Sequence, residues 1–324
     1  MRVLVTGGSG FIGTHVISLL EARNCTIANI DLKPPYLDAH RRYWQPTDIT
    51  ETESVNRVMA EFQPTRIVHL AAITSFASPR DRLFAHNAGG TVAVMDAAAK
   101  FAPAARVIAT STQLVNEPGA PFDDDTRFRP STAYGESKVA AEREIRAEKY
   151  DALDWLIVRP TNIWGPFHPT YPTQIWKYIR YGLYLHPGDE PIVRAYGYVE
   201  NVVEQIFLLL TAPPERVRHR VFYVGDRPID SFLLLSGLSV AFRGKPLRRI
   251  PRPLLRTLAR CGDGMTWVGM KAPFYTDRFI RMTSEHLGRH ESIWQEFGIE
   301  PIAMATGIDR TFGWLQRTHP EIYG

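Results

Sequence analysis

The fold is decided by the stretch "RVLVTGGSGFIGTHVISLLEARNCTIANID", residues 2–31. Its first residues are apolar and β-branched, which predicts a short buried strand. Three glycines with the spacing G-x-x-G-x-x-G follow, and the residues after them are apolar at helical spacing. A second apolar run, residues 26–30, ends in Asp31. The stretch therefore predicts a strand, a glycine turn, a helix and a second strand.

The three glycines, Gly7, Gly10 and Gly13, lie at the turn between the strand and the helix. Glycine lets the backbone approach a pyrophosphate, and the helix N-terminus offers free N–H groups and the positive end of its dipole. Asp31 can accept hydrogen bonds from ribose hydroxyls and would repel a 2′-phosphate. We therefore expect NAD as the cofactor. A glycine turn that serves packing alone is the less favoured interpretation.

The same alternation continues along the chain. Apolar runs at 65–72, 105–112 and 154–160 predict strands, and 87–100 and 134–149 have helical patterns. Strands that alternate with helices predict an α/β fold with a doubly wound parallel sheet.

Length, composition and net charge further limit the possible class of protein. The 324 residues suffice for two domains, and two cysteines make neither a disulfide framework nor a metal cluster. No apolar run is long enough for a signal peptide or a membrane span, so we expect a cytoplasmic protein without an integral membrane segment. A net charge of +4 suits an anionic small substrate. It does not indicate nucleic acid, because no basic stripe is interleaved with aromatic residues.

Nine motifs occur in the order typical of one family, and they extend over about two thirds of the chain. They are "TGGSGFIG" (6–13), Asp31, "DI" (48–49), "HLAA" (69–72), Asn87 before "GGT", "TST" (110–112), "YGESK" (134–138), "RPTNIWGP" (159–166) and "RAYGYVENVV" (194–203). The chain resembles the extended short-chain dehydrogenase/reductases, in the branch of nucleotide-sugar epimerases and dehydratases. The resemblance implies a Rossmann domain, a smaller C-terminal substrate domain, bound NAD, a nucleotide-sugar substrate and a homodimer.

The resemblance also implies residue roles. The catalytic residues would be Thr112, Tyr134 and Lys138. The cofactor-binding residues would be Gly7, Gly10, Phe11, Ile12, Gly13, Asp31, Asp48, Ile49, Leu70, Ala71, Ala72, Asn87, Tyr134 and Lys138. Thr112, Asn162 and Arg194 would bind substrate, the arginine through a diphosphate.

Tyr134 would be the general acid/base, and Lys138 would supply charge. A free phenol has a pKa near ~10, and lowering it by about three units requires roughly 4 kcal/mol. A unit charge about 4–5 Å away supplies roughly that at an effective dielectric near ~20. A solvated helical turn is the less favoured interpretation of this pair.

Three departures from the family limit the expected reaction. The acids that drive dehydration are replaced by Gln113 and Leu114, so 4,6-dehydration is not expected. Asn116 replaces a tyrosine of the pocket wall, and residues 184–196 replace the usual nucleotide-binding stretch. We therefore expect an NAD-dependent nucleotide-sugar 4-epimerase, with a dehydrogenase or ketoreductase as the alternative. A non-catalytic dinucleotide-binding protein is less favoured, because Tyr134 and Lys138 are both present.

The predicted Rossmann domain covers residues 1–165, with 194–225 returning to it. Residues 166–193 and 226–324 would form the substrate-binding domain. Small alanines on the helices at 87–100 and 134–149 would permit close helix approach in a dimer; they are Ala93, Ala97, Ala98, Ala140 and Ala141.

Two other groups of residues have ordinary interpretations. A basic run at 248–260 is read as a solvated face, with an anionic substrate or a membrane surface as alternatives. We expect no metal site: the acids of the loop at 116–132 are read as solvated, and His15, His69 and His86 as structural.

Overall fold

The structure is a computed structural model that describes residues 1–119, 124–188, 190–267, 269, 270, 272, 274–285, 287 and 293–324. The chain divides into two compact units. The first comprises Met1–Phe167, Gly197–Asp226 and a segment that ends at Pro301. The second comprises His168–Tyr196, Arg227–Leu287 and Ile302–Gly324.

The segment that ends at Pro301 was assigned from sequence to the substrate domain, but it clusters with the first unit. Arg216 donates hydrogen bonds to the backbone and side chain of Glu296, and Trp294 is buried. The assignment of the second unit to substrate binding stays a prediction.

Strands are short throughout the described residues. They are β1 Arg2–Thr6, β2 Thr26–Asp31, β3 Trp44–Pro46, β4 Arg66–His69, β5 Arg106–Thr110, β6 Asp154–Pro160, β7 Asn162–Trp164, β8 Leu185–Pro187, β9 Val193–Arg194, β10 Tyr196–Tyr198, β11 Val221–Val224, β12 Ile229–Asp230 and β13 Arg248–Ile250.

The helices alternate with these strands in the first unit and dominate the second. They are α1 Phe11–Ala22, α2 Thr52–Phe62, α3 Arg80–Phe84, α4 Gly90–Phe101, α5 Ala133–Ile145, α6 Ile175–Arg180, α7 Val199–Thr211, α8 Pro214–Val217, α9 Ser231–Arg243, α10 Arg252–Trp267, α11 Thr276–Thr283, α12 Ile293–Phe297, α13 Met304–Thr318 and α14 Pro320–Tyr323. A π-helical turn, Ala85–Gly89, leads into α4.

Within the described part of the chain, seven strands form one sheet in the order β11-β6-β5-β4-β1-β2-β3. Every pair in it is parallel. The predicted α/β class with a parallel sheet is therefore confirmed. The strand order reverses between β1 and β4, and α/β proteins bind ligands beyond the carboxyl ends of the strands at such a point.

Helices cover the sheet, with α1 beside α7 and α4 beside α2 and α5. An apolar core beneath α2 and α4 contains Ile67, Val107 and Ile157 from the strands and Met59 and Val94 from the helices. Strands buried on both faces explain the continuous apolar runs of the sequence.

Helix α5 ends at Ile145, before the predicted residue 149. The chain turns there and buries Tyr150, whose hydroxyl donates to Asp96 on α4 at 2.7 Å.

Four of the five alanines proposed for a dimer are buried within the single chain, and Ala140 is half-buried. Ala93, Ala97, Ala98 and Ala141 are all buried, and two of them belong to the core cluster. They serve internal packing, so the homodimer stays a prediction without their support.

The second unit has its own apolar packing. Helices α6, α9, α13 and α14 pack together, with the rings of Trp176, Phe242, Phe312 and Tyr323 in edge and tilted contacts. A smaller separate cluster of Leu255, Ala259 and Phe279 joins α10 to α11.

A buried ion pair fastens α5 to the sheet. Arg159 at the end of β6 donates to both carboxylate oxygens of Glu142, at 2.9 and 2.7 Å. Both side chains are almost completely buried, 1% and 0% exposed. An unpaired charge at that depth is strongly unfavourable, so each residue depends on the other.

Replacing Arg159 with Met should lower the free energy of unfolding by about 3–5 kcal/mol, because it removes both short hydrogen bonds of buried Glu142 and leaves the longer contact to Arg146, at 3.7 Å. Adding Glu142→Leu should restore much of the loss. The matched control is Asp38→Ala, which breaks the exposed Arg41–Asp38 pair and should cost at most ~1 kcal/mol. Denaturant unfolding measures all three, and a loss in Arg159→Met no larger than the control would contradict this account.

Candidate active site

The glycine turn leaves no room for side chains. Gly7 has a φ of +73°, and a Cβ there would lie 2.6 Å from the backbone nitrogen of Ala71. A Cβ on Gly13 would lie 2.3 Å from the Gly7 carbonyl oxygen. The turn therefore packs directly on the end of β4, and α1 begins at Phe11 without a side-chain cap. Uncapped amides at a close backbone turn fit a pyrophosphate.

Backbone amides hold the carboxylate of Asp31 at the end of β2. One oxygen accepts from Ser9 at 3.1 Å and the other from Lys33 at 3.0 Å, while burial raises the pKa of the group. Asp48 accepts two hydrogen bonds from Thr50, and Ile49 is buried under Gly90. These residues follow the carboxyl ends of β2 and β3, where an adenosine ribose would lie in such a fold.

The side chain of Asn87 makes hydrogen bonds within the protein. Its side-chain oxygen accepts from the Ile73 amide at 2.8 Å, and its NH2 group donates to the Ile73 carbonyl and to Ser137. The amide thus ties the loop after β4 to α5. The stretch Leu70–Ala72 runs beside Gly7 at the start of that loop, with the Ala71 amide bonded to Thr6.

Tyr134 and Lys138 lie on the buried face of α5. The phenol of Tyr134 is hydrogen-bonded to the hydroxyl of Thr112, which follows β5. The Lys138 ammonium donates to the carbonyl of Thr110 at 2.7 Å. The structure thus brings together the three predicted catalytic residues at the carboxyl end of β5.

Burial dominates the titration of this pair. It raises the pKa of Tyr134 to about 12, with the Thr112 hydrogen bond acting the other way. It lowers the pKa of Lys138 to about 8, against the attraction of Glu142. The pKa of the phenol is therefore raised and not lowered as the sequence analysis expected, because burial disfavours the charged phenolate.

Sequence reasoning did not recognise that several further polar side chains near β5 form one group. Ser111 Oγ, Gln113 Oε1 and Asn116 Nδ2 are buried and have no hydrogen-bond partner among the described residues. Buried polar groups normally have partners, so unpaired ones in a site point to a ligand. The polar run after a buried strand, "TSTQLVN" at 110–116, was the available signal.

Two of the three predicted substrate residues, Asn162 and Arg194, lie in different units. Asn162 begins β7 in the first unit and is half-buried. Arg194 belongs to the second unit, where its guanidinium donates to the backbone oxygens of Arg281 and Ser284.

No metal centre emerges from the described residues, since no three His, Cys, Asp or Glu side chains come together there. His69 is buried between the hydroxyls of Thr6 and Thr91, at 2.7 and 2.9 Å. Residues 120–123 of the acidic loop lie outside the described residues.

Residues 3–225 match the model of a family described as the NAD-dependent epimerase/dehydratase family. The chain belongs to this family. Its membership confirms the predicted family resemblance, NAD as the cofactor and an enzyme of the extended short-chain dehydrogenase/reductase type.

Curated relatives in sequence include sterol and steroid dehydrogenases. The chain is 26% identical to the decarboxylating sterol-4-alpha-carboxylate 3-dehydrogenase of Schizosaccharomyces pombe, over 97% of this chain and 98% of the relative. It is 28% identical to a 3 beta-hydroxysteroid dehydrogenase/Delta 5→4-isomerase of Mycobacterium tuberculosis, over 79% and 73% of the two chains.

Solved structures with the same fold include nucleotide-sugar enzymes. The UDP-glucose 4-epimerase of Thermotoga maritima with UDP-glucose is 22% identical, with a TM-score of 0.72 over 98% of this chain and 99% of that chain. The UDP-glucose 4-epimerase of Thermus thermophilus, in complex with NAD, has a TM-score of 0.68 over 97% of this chain and 99% of that chain. No helix among the described residues is long and apolar enough to cross a membrane.

Replacing Gly7 with Ala should abolish measurable NAD binding, because the new Cβ would collide with the Ala71 backbone at a positive φ. The control is Gly89→Ala in the π-helical turn, where nothing lies within 4 Å of an added Cβ. That change should leave NAD binding intact and alter stability by less than ~1 kcal/mol. Calorimetric titration with NAD and thermal unfolding test both, and normal affinity in Gly7→Ala would refute the proposed turn.

Proposed function

We propose that the protein oxidises a secondary alcohol with NAD, and that Tyr134 is the base that takes the hydroxyl proton. The observation that carries the proposal is the arrangement of three buried residues at the end of β5: Tyr134 is hydrogen-bonded to Thr112, and Lys138 donates to the nearby Thr110 carbonyl. The glycine turn, Asp31 and the loop after β4 would hold the dinucleotide.

Each residue of the arrangement has a separate task. Thr112 already bonds the phenol and would share a substrate hydroxyl with it, which places the oxygen within reach of the base. Lys138 is held by the Thr110 carbonyl and stabilises negative charge on the phenolate. Bound NAD supplies the hydride acceptor and a positive ring, which offsets the desolvation of the phenolate.

Replacing Tyr134 with Phe removes the proton acceptor while keeping the ring. Turnover should fall by at least ~10²-fold, the usual size of a lost general base, and NAD affinity should remain. The matched control is Tyr181→Phe, an exposed tyrosine of the second unit, which should have full activity. Normal turnover in the Tyr134 variant would remove the base from the proposal.

We infer that the reaction ends at the ketone, as in a dehydrogenase. A nucleotide sugar needs a cation for its diphosphate, and Arg194 was predicted to supply it. Its guanidinium is instead engaged by two backbone carbonyls of the second unit, those of Arg281 and Ser284. Because neutral carbonyls leave the positive charge of Arg194 in place, this engagement is compatible with either class of substrate, and the dehydrogenase is supported by the surface beside Tyr134.

An exposed aromatic ring suits an apolar alcohol. Phe76 is 61% exposed, and its ring meets that of Tyr134 edge-on with centroids 6.0 Å apart. An apolar surface beside the base would contact the carbon skeleton next to the reacting hydroxyl. Together with the sterol and steroid dehydrogenases among the relatives, this supports a secondary alcohol on an apolar ring system.

The second candidate is the nucleotide-sugar 4-epimerase predicted from sequence. Gln113 and Leu114 replace the dehydratase acids, which favours epimerisation over dehydration within the family. The unpaired Ser111 hydroxyl and Gln113 oxygen also suit a polar sugar.

The two candidates treat the cofactor differently. A dehydrogenase exchanges NADH for NAD in every cycle, whereas an epimerase returns the hydride and keeps its NAD. We expect stoichiometric NADH absorbance when the protein is given excess NAD and a 3β-hydroxysteroid, and no conversion of UDP-glucose. Conversion of UDP-glucose to its 4-epimer without net NADH, by protein that retains dinucleotide through gel filtration, would establish the epimerase instead.

A further inference from the structure

The helices α10 and α11 form a surface that the proposed reaction does not use. They are joined by the small cluster of Leu255, Ala259 and Phe279, with Phe274 against it. Gly262 lets α10 approach the backbone of Phe274, just before α11, since a Cβ on Gly262 would lie 1.8 Å from the Phe274 carbonyl oxygen. We call α10, α11 and the described residues between them the α10–α11 surface.

Large apolar side chains concentrate on this surface and face outward. Leu254, Leu258 and Met265 follow one another at helical spacing along α10, 53%, 46% and 38% exposed. Trp267 at the end of the helix is 88% exposed. Other exposed apolar side chains follow within the same surface, namely Met270, Tyr275 and Ile280. Such a concentration of exposed apolar side chains is typical of an interaction site.

Positive charge accompanies the apolar residues. Residues 252–283, which span this surface, contain six basic and two acidic residues, a net charge of +4. The whole chain also carries +4, so the rest of the chain has no net charge. On α10, Arg256 and Arg260 are exposed and have no carboxylate within ion-pair distance among the described residues. The basic run noted in the sequence is thus part of an apolar and cationic surface.

We propose that the α10–α11 surface docks the protein on anionic lipid bilayers. A helix with leucine and tryptophan beside arginine lies in the plane of a membrane interface, with its apolar side chains among the acyl chains. Exposed Trp267 suits the boundary between headgroups and acyl chains. The arginines bind anionic headgroups, each contributing about 1 kcal/mol, equivalent to about fivefold in affinity.

The charge of the α10–α11 surface favours an anionic bilayer over a second copy of the chain as its binding partner. Two identical surfaces of net positive charge repel each other when they meet face to face. A bilayer with anionic lipid accepts both the apolar stripe and the arginines. The inference goes beyond the proposed reaction and does not depend on it, because lipid binding requires neither substrate nor NAD.

The test is co-sedimentation of the full chain with vesicles of phosphatidylcholine alone or with about 30% phosphatidylglycerol. We expect binding to the anionic vesicles at least about tenfold tighter than to neutral ones, and loss of most binding in about 0.5 M NaCl. Equal binding to both vesicles, or binding to neither, would overturn the proposal.

Variants locate the binding surface. Leu254→Glu should weaken binding at least about tenfold, whereas Leu233→Glu on α9, with the same 53% exposure, should not. Arg260→Glu should weaken it to a similar degree by removing one attraction and adding a repulsion, whereas exposed Arg57→Glu on α2 should not.

Circular dichroism verifies that each variant is folded. The salt dependence is measured on the unmodified protein, so this test remains valid even if a variant fails to fold. Equal weakening by a variant and its control would overturn the assignment to this surface. The assignment would also be overturned if the protein bound no vesicles but associated with itself, and if Leu254→Glu abolished that self-association.

Discussion

The buried ion pair of Glu142 and Arg159 is the interaction on which the candidate site depends. It joins α5 to the end of β6, and α5 carries both Tyr134 and Lys138 on the face turned to the sheet. Lys138 lies one helical turn before Glu142, so the same carboxylate also attracts the Lys138 ammonium. A rigid anchor is required because Tyr134 and Thr112 come from different elements, and a hydrogen bond between them tolerates little displacement.

Burial gives the site its chemical character. Desolvation raises the pKa of Tyr134 and lowers that of Lys138, which shifts both groups toward their neutral forms. In the proposed reaction a phenolate would therefore require added positive charge, which the ring of oxidised NAD would supply when bound. Deprotonation of the tyrosine would then be linked to the presence of the oxidised cofactor.

Local sequence patterns predicted the first unit well because local forces decide them. Gly7 and Gly13 are required by backbone contacts at a turn, and apolar alternation places the strands. Other predictions failed or lost support because distant residues decide them. Ala97 and Ala98 are covered by the chain's own core, so they give the predicted dimer no support. The hydrogen bonds of Asn87 to Ile73 and Ser137 were not predicted either, and its role in cofactor binding stays a prediction. The end of α5 at Ile145 is likewise decided by the burial of Tyr150 against Asp96.

The sequence by itself determined the α/β class, the family, the use of NAD and the identity of the catalytic candidates, since each rests on residue type and spacing along the chain. Tertiary structure alone decided which charges are paired and which polar groups are satisfied. It directed Arg194 to backbone carbonyls, left the Gln113 Oε1 atom without a hydrogen-bond partner among the described residues, and exposed Leu254 and Trp267. These properties depend on residues far apart in sequence that meet only after folding, and no local pattern encodes them.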